Sequence, residues 1–409
     1  MSSISPSSSL SFSTLRSSSC GNGSGLPLAS MMILLWTPPH WSKELSYVYF
    51  LLVIMLFDTI YTVNSLNLTS LFPEMYQSEE ERAQANTMRQ ILLMVGLIVA
   101  AITPTLFIEE LTGSGESNGV DTVTVGQYQI AGVVLAVVVF LCYAFGLRWG
   151  VKERPTFESD HLSVPESKTA FIQCLKNRNF QWFLLCNLAN WYVLMMLSAI
   201  VPLYAEIVLE DAPTELIGVM LGITFISAII FMSLWRKIAD RLQDLRMAWM
   251  LSQTSWIVCL VPFFIVTNAW VAVICFFFLG IGLAGAFYLK DLIVSDIVDE
   301  DELVTGVRRE GAYYGVNAFV MRLSTIAVFV SIALVLGGFG LEEFISPESA
   351  TAEQFEDFRF GLRLLFVAFP ALALLIGILT ISRYDLYGSK LQKIKTELHQ
   401  LHQKKDAKA

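Results

Sequence analysis

Nine stretches of this 409-residue chain are apolar over about 20 residues or more, the length an α-helix needs to cross the hydrocarbon of a bilayer. They run over about 45–68, 90–109, 128–149, 180–206, 216–236, 247–267, 269–294, 312–338 and 361–382. Inside lipid a backbone satisfies its own hydrogen bonds only as a helix or a closed barrel. The short alternating strands of a barrel are absent from the sequence. The chain is therefore expected to be an all-α integral membrane protein. Composition agrees: 15% of residues are charged and 55% hydrophobic, whereas a soluble domain carries roughly 25% charged.

Lysine and arginine set the orientation, because cytoplasmic loops hold them in excess. With the segment 73–90 inside, alternate loops place 21 of the 27 basic residues in the cytoplasm, and the outer loops hold only Lys43 and Arg359. Three more basic residues, Lys290, Arg322 and Arg363, lie within apolar stretches, and Arg16 lies in the leading segment. The net charge of −9 is largely an exterior property and gives no reason to expect nucleic acid as a partner. The C-terminus is expected in the cytoplasm and the protein in the plasma membrane.

Five regions follow. Residues 1–26 form a Ser-rich tail with the composition of disorder. An incomplete N-terminal bundle spans 27–149, a charged linker with Pro155 and Pro165 spans 150–179, a six-helix bundle spans 180–384, and a basic tail spans 385–409. Residues 26–36, LPLASMMILLW, are too short to cross and read as the outer end of a helix. Three full helices and this stub precede the linker, and six helices follow it. That count fits a duplicated six-plus-six carrier in a truncated or mis-started sequence. The loops PEMYQSEEERAQANTMRQ and SDIVDEDELVTGVRRE each run from acids to arginines between two spans, as a faint internal repeat would.

The densest charge is VSDIVDEDELVTGVRREGAYYGVNAFVMR, Val294–Arg322. Such a hairpin suits a carrier that makes and breaks salt bridges at one membrane face. Arg322 lies about ten residues into the following span, and a cation at that depth is costly enough to be a functional candidate by default. Asn317 and Ser324 flank it. In the span 45–68, Asp58, Tyr61, Thr62, Ser65 and Thr69 share one helix face, which is expected to meet a watery cavity, with Asp58 as the partner of Arg322. The plainer alternative for both is a structural salt bridge. In the span 180–206, Asn187, Asn190, Trp191 and Ser198 share a face beside Tyr192. Amides beside an aromatic ring suit a sugar, with interhelical packing as the alternative. Gln253, Thr254 and Trp256 form a shorter polar patch.

Three stretches carry a family resemblance. Pro73, Glu74, Glu81, Arg82, Asn86 and Arg89 resemble the loop after helix 4 of the glycoside–pentoside–hexuronide:cation symporters, the melibiose-permease branch of the major facilitator superfamily. Ser295–Leu323 is similar to their loop between helices 10 and 11, and LLWTPP at Leu34–Pro39 to the outer end of their helix 3. The resemblance implies a two-bundle major facilitator architecture with nine full transmembrane helices, helices 4 to 12, plus a stub of helix 3. It implies a secondary active transporter that moves a sugar or glycoside by symport with Na+ or H+ through alternating access. The alternatives are a lysophospholipid-type symporter of the same branch and a truncated pseudo-carrier that moves nothing. Members similar to this chain carry Lys or Arg at the place of Arg322. Sodium-coupled members carry an Asp where the match anchored on Pro73 gives Ser65, and Asp58 lies two turns away on the same face.

Trp235–Arg246, WRKIADRLQDLR, resembles the superfamily's inner gating motif through Asp240, Arg241 and Arg246, with Arg236 in place of the customary leading glycine. A cytoplasmic gate is accordingly expected of Glu74, Arg82, Arg89, Asp240, Arg241, Arg246, Asp296, Asp299, Arg308, Arg309 and Glu310. Gly280, Gly282 and Gly285 spell GxGxxG, but within an apolar stretch after no strand. Close helix packing or a bend is expected there, not a dinucleotide site. The six cysteines are scattered without metal spacing. No metal and no cofactor beyond the coupling ion are expected, and an embedded enzyme lacks a clustered set of nucleophiles and bases.

Overall fold

The computed structural model describes residues 25–37, 42–75, 79–107, 122–146, 148, 167–209, 213–306, 309–338 and 352–406. They form helices α1 (Gly25–Trp36), α2 (Lys43–Met75), α3 (Glu79–Phe107), α4 (Thr122–Phe145), α5 (Ser167–Lys176), α6 (Arg178–Ile207), α7 (Thr214–Leu242), α8 (Leu245–Leu260), α9 (Ala269–Thr305), α10 (Glu310–Gly338), α11 (Ala352–Arg363), α12 (Phe369–Ile381) and α13 (Gly388–Asp406). A 3-10 turn, Val261–Phe264, extends α8, and a π segment, Leu364–Ala368, joins α11 to α12. The Ser-rich tail over 1–24 and most of the linker, 149–166, lie outside the described residues.

Eight helices among the described residues are long and apolar enough to cross a bilayer. The ninth expected span, 90–109, overlaps α3, whose sequence from Ile91 to Phe107 is apolar after the charged first turns EEERAQANTMRQ. Large apolar side chains face outward along these helices. Ile230 is 56% exposed, Phe329 65% and Leu379 68%. Such patches are a liability in water and the natural surface in lipid.

The chain divides into two units, residues 1–75 with 118–154 and residues 76–117 with 155–409. In the first, α1 packs against α4 and α2. Gly132 leaves no room for a Cβ beside Trp36, so that the Trp36 ring stacks on Tyr128, and Tyr49 Oη donates to Leu34 O at 2.7 Å.

In the second unit α9 is the central helix, packed by α6, α7, α8 and α13. The GxGxxG face explains how. A Cβ on Gly280 would overlap Ser227, one on Gly282 would overlap Trp256, and one on Gly285 would overlap Ser252. The close approach lets neighbouring side chains reach α9 carbonyls: Thr224 Oγ1 donates to Phe276 O at 2.9 Å, Trp235 Nε1 to Ile281 O at 2.7 Å and Ser252 Oγ to Gly282 O at 3.1 Å. Small residues with polar cross-bonds are how helices associate where lipid supplies no hydrophobic drive. Helix starts are capped by Asn177, Asp244 and Asn268, whose side-chain oxygens accept from Phe180 N, Met247 N and Trp270 N.

One expectation changes. The acidic run after residue 294 is not a loop, because α9 continues without a break to Thr305 and α10 begins at Glu310. Glu, Asp and Leu sustain a helix once it is nucleated, so charge ends the apolar stretch before it ends the helix. The end of the linker is helix α5, with Phe171 edge-on to Phe319 of α10. The basic tail is helix α13 docked on α9, with Lys395 3.6 Å from Asp296 and Lys390 3.5 Å from Glu300.

Lys390 also pairs with Asp385 at 2.9 Å. Burial raises the Asp385 carboxyl, but hydrogen bonds from Lys390 and Asn179 outweigh it and hold the group below its ordinary 3.8. Lys390 is held above its ordinary 10.5, where burial is outweighed by its bonds to Asp385 and Glu300. A lowered carboxyl contributes fully above its unfolded value and is lost as pH falls through the folded one. A raised lysine contributes fully below its unfolded value and is lost as pH rises through the folded one. A spin label at Gln400 on α13 is therefore expected to keep its mobility between these limits and to loosen only below about pH 4 or above about pH 10.

Candidate functional site

Helices α6, α8 and α9 line a narrow, open-sided cleft of about 10 Å³, bounded by Asn187, Asn190, Trp191, Leu194, Trp256, Ala286, Phe287 and Lys290. The 3.6-residue repeat turns Asn187, Asn190 and Trp191 to one side of α6, toward α9, where Trp191 meets Phe287 edge-on at 6.0 Å. The Lys290 ammonium lies over both rings, 4.4 Å from the centre of Phe287 and 5.3 Å from that of Trp191.

A polar network runs behind the cleft. Asn187 Nδ2 donates to Asn317 Oδ1 of α10 at 2.8 Å. Gln253 Nε2 of α8 donates to Cys186 Sγ at 3.0 Å and to Asn190 Oδ1 at 3.4 Å. Tyr192 Oη donates to Ser331 Oγ at 2.9 Å. Asn190 Nδ2 and Trp256 Nε1 are buried donors with no hydrogen-bond partner among the described residues.

Asn187, Asn190, Trp191 and Asn317 thus come together. Asp58, Tyr61, Thr62 and Ser65 lie in the first unit, on α2. Thr62 Oγ1 there donates to the Asp58 carbonyl at 2.7 Å, and Tyr61 stacks on Phe57. Arg322 lies on α10 with its side chain exposed on the second unit, and Ser324 Oγ beside it donates to Met321 O.

The expected gate residues fall into separate groups. Arg89 of α3 pairs with Asp291 of α9 at 2.9 Å, and Gln90 donates to the same oxygen at 2.5 Å. Asp240 lines a second cavity of about 280 Å³ with Thr87, Arg236, Lys237 and Tyr288. Arg241 is exposed at the end of α7. Arg246 reaches the Ser382 carbonyl at 3.4 Å and covers the Tyr387 ring at 3.8 Å, joining the start of α8 to the end of α12. Asp296 faces Lys395, Asp299 is buried on the same stretch of α9, and Glu310 sits in the first turn of α10. Arg308 lies outside the described residues, and of Glu74 and Arg82 only the helical backbone is described.

The tightest of these contacts is Arg309, which forks onto Asp301 through Nε at 3.0 Å and Nη2 at 2.6 Å and donates to Gln173 of α5. Its hydrogen bond to Asp301 holds the guanidinium above its ordinary value. Burial pushes the nearby Cys174 thiol up to about 11, so it is protonated at neutral pH.

Four of these residues, Asp301, Asp291, Gln173 and Lys290, are not among the sequence candidates. A signal existed for Lys290: like Arg322, it is a cation well inside an apolar stretch, LAGAFYLKDLIV.

The model of the family described as MFS/sugar transport protein matches residues 23–388. An uncharacterized symporter of Synechocystis is 23% identical over 92% of this chain and 82% of its own length. An uncharacterized symporter of Bacillus subtilis is 23% identical over 91% of this chain and 77% of its own. Transmembrane protein 180 of Gallus gallus is 27% identical over 60% of this chain and 52% of its own. With its apolar spans and a family match over nearly all of its length, the chain is a multi-pass membrane transporter belonging to the MFS/sugar transport protein family.

Proposed function

We propose that this chain is a secondary active carrier that moves a sugar or glycoside across the plasma membrane by symport with Na+ or H+, with its C-terminus in the cytoplasm. The observation that supports a sugar most directly is the meeting of two buried amides, Asn187 and Asn190, with the Trp191 indole in one cleft. Sugar hydroxyls bond amides, while the CH face of the ring lies against an aromatic face. The Asn187–Asn317 bond ties α6 to α10, and a substrate hydroxyl that replaces it would bias how the two helices sit. The symporter names of the Synechocystis and Bacillus relatives support coupling to an ion. A coupled carrier needs a charge that the ion neutralises, and Asp58 and Arg322, both charged groups within apolar spans, are the candidates.

The chain reconstituted in proteoliposomes is expected to accumulate labelled sugar under an inward Na+ or H+ gradient and to release it when an ionophore collapses that gradient. Asp58→Ala and Arg322→Ala should each lower accumulation to background while the protein stays folded and inserted. Normal accumulation by both variants would take the coupling role from these residues. No accumulation of any sugar by the unmodified chain under either gradient would overturn symport.

A further inference from the structure

The second cavity, of about 280 Å³, is close in size to the small end of ordinary ligand pockets and shares no lining residue with the cleft. It lies between α3, α7 and α9. Ser233, Arg236, Lys237 and Asp240 line it, and offsets of 3, 4 and 7 put them on one face of α7. Tyr288 of α9 completes the polar wall. It is only 9% exposed, and Asp240 and Arg236 are charged neighbours of its hydroxyl. None of these five side chains makes a hydrogen bond or ion pair among the described residues. Arg236 and Asp240 stand four residues apart, within reach of an ion pair on a helix, and form none. A hydroxyl buried to this degree without a partner costs free energy, which a ligand in the cavity would recover.

The charges of the wall select the ligand. Two cations against one carboxylate leave a positive excess, which an anionic group answers in charge-assisted hydrogen bonds. The several oxygens of a phosphate can reach a guanidinium and an ammonium together. A bare anion is opposed by Asp240, whose carboxylate only accepts hydrogen bonds. A ligand that carries hydroxyls beside its phosphate satisfies both signs. We propose that this cavity is a regulatory site for a phosphorylated sugar, with the phosphate on Arg236 and Lys237 and the hydroxyls on Asp240, Ser233 and Tyr288. Phosphoryl transfer to a carried sugar makes such a ligand, so its role, but not its binding, rests on the reading of the chain as a sugar carrier. Bound there, it ties α3 to α7 and α9 and favours the arrangement of helices that holds it.

Calorimetric titration of the detergent-purified chain with glucose 6-phosphate, glucose and inorganic phosphate tests this. Glucose 6-phosphate is expected to bind at least about tenfold more tightly than either of the others, since neither meets both the cations and the carboxylate. Arg236→Met should lower its affinity to that of glucose. Asp240→Ala should weaken glucose 6-phosphate but not inorganic phosphate, so that the preference between them shrinks. Should Arg236→Met fail to fold, Lys237→Met carries the comparison. Equal affinity for glucose 6-phosphate and glucose, inorganic phosphate bound as tightly as the ester, or a preference unchanged in Arg236→Met overturns the proposal. So does binding that is seen in detergent but absent from nanodiscs of phosphatidylethanolamine and phosphatidylglycerol, which assigns the cations to a lipid headgroup. In proteoliposomes, saturating glucose 6-phosphate on the side of Asp240 should slow sugar exchange at least about fivefold; binding that leaves exchange unchanged overturns the regulatory role. A chain that binds glucose 6-phosphate through Arg236 but moves no sugar would instead overturn the carrier reading and leave the site standing.

Discussion

Arg309→Ala is expected to destabilise the second unit by about 3–5 kcal/mol, because it leaves a carboxylate buried without its partner. The side chains of Arg309 and Asp301 are only 3% and 9% exposed, and the fork geometry satisfies both carboxylate oxygens at once. A third guanidinium bond reaches Gln173, so the same residue holds α5 against the corner between α9 and α10. Asp301→Asn should cost less, because an amide still offers one acceptor to the fork. Replacing both partners by apolar residues of similar size should recover much of the loss, because desolvating two charges offsets most of what their pairing returns. Unfolding temperatures of the detergent-purified chain check this. An Arg309→Ala protein that unfolds with the unmodified chain would show that the pair carries no stability.

Gly282→Ala is the second large effect, expected to cost about 1–3 kcal/mol or more. The new Cβ would overlap the Cβ and Cγ of Trp256 and stand 2.8 Å from its Cα, so a side-chain rotation cannot relieve it and α8 must move off α9. The carbonyl of Gly282 would also lose the Ser252 hydroxyl that the close approach brings to it. Since Trp256 lines the cleft, substrate affinity should fall along with stability. Gly315→Ala is the matched control: nothing among the described residues lies within 4 Å of its added Cβ, and alanine favours a helix by about 0.5–1 kcal/mol over glycine. That variant should match or exceed the unmodified chain. Equal unfolding temperatures for the two variants would contradict the packing account.

Much of the fold was legible because a bilayer leaves few choices: length and apolarity mark the spans, and the backbone must be helical. The cleft face of α6 was legible for a related reason, since Asn187, Asn190 and Trp191 stand out by spacing alone in an apolar helix. Partnerships were harder. Asp296, Asp299, Glu300, Asp301 and Glu302 are nearly interchangeable in sequence, and only the turn after Thr305 decides that Asp301 meets Arg309 while Asp296 and Glu300 turn to α13. The charged run also hid its own helicity, because the end of a membrane span and the end of a helix are different events. Lys290 was visible as an intramembrane cation, but its importance comes from what surrounds it: two rings beside it and a neighbouring carboxylate committed elsewhere.

The most direct test of the central claim, a carrier whose substrate lies in the cleft of α6, α8 and α9, is exchange of labelled sugars by proteoliposomes preloaded with the same sugars unlabelled. Exchange needs no ion gradient and so isolates the substrate site from coupling. Rapid exchange by the unmodified chain, reduced about fivefold in Trp191→Ala with the protein still folded, is the predicted result, since an aromatic face against a sugar ring contributes of order 1 kcal/mol. Exchange that is undiminished in Trp191→Ala, or absent from the unmodified chain for every sugar offered, would contradict it.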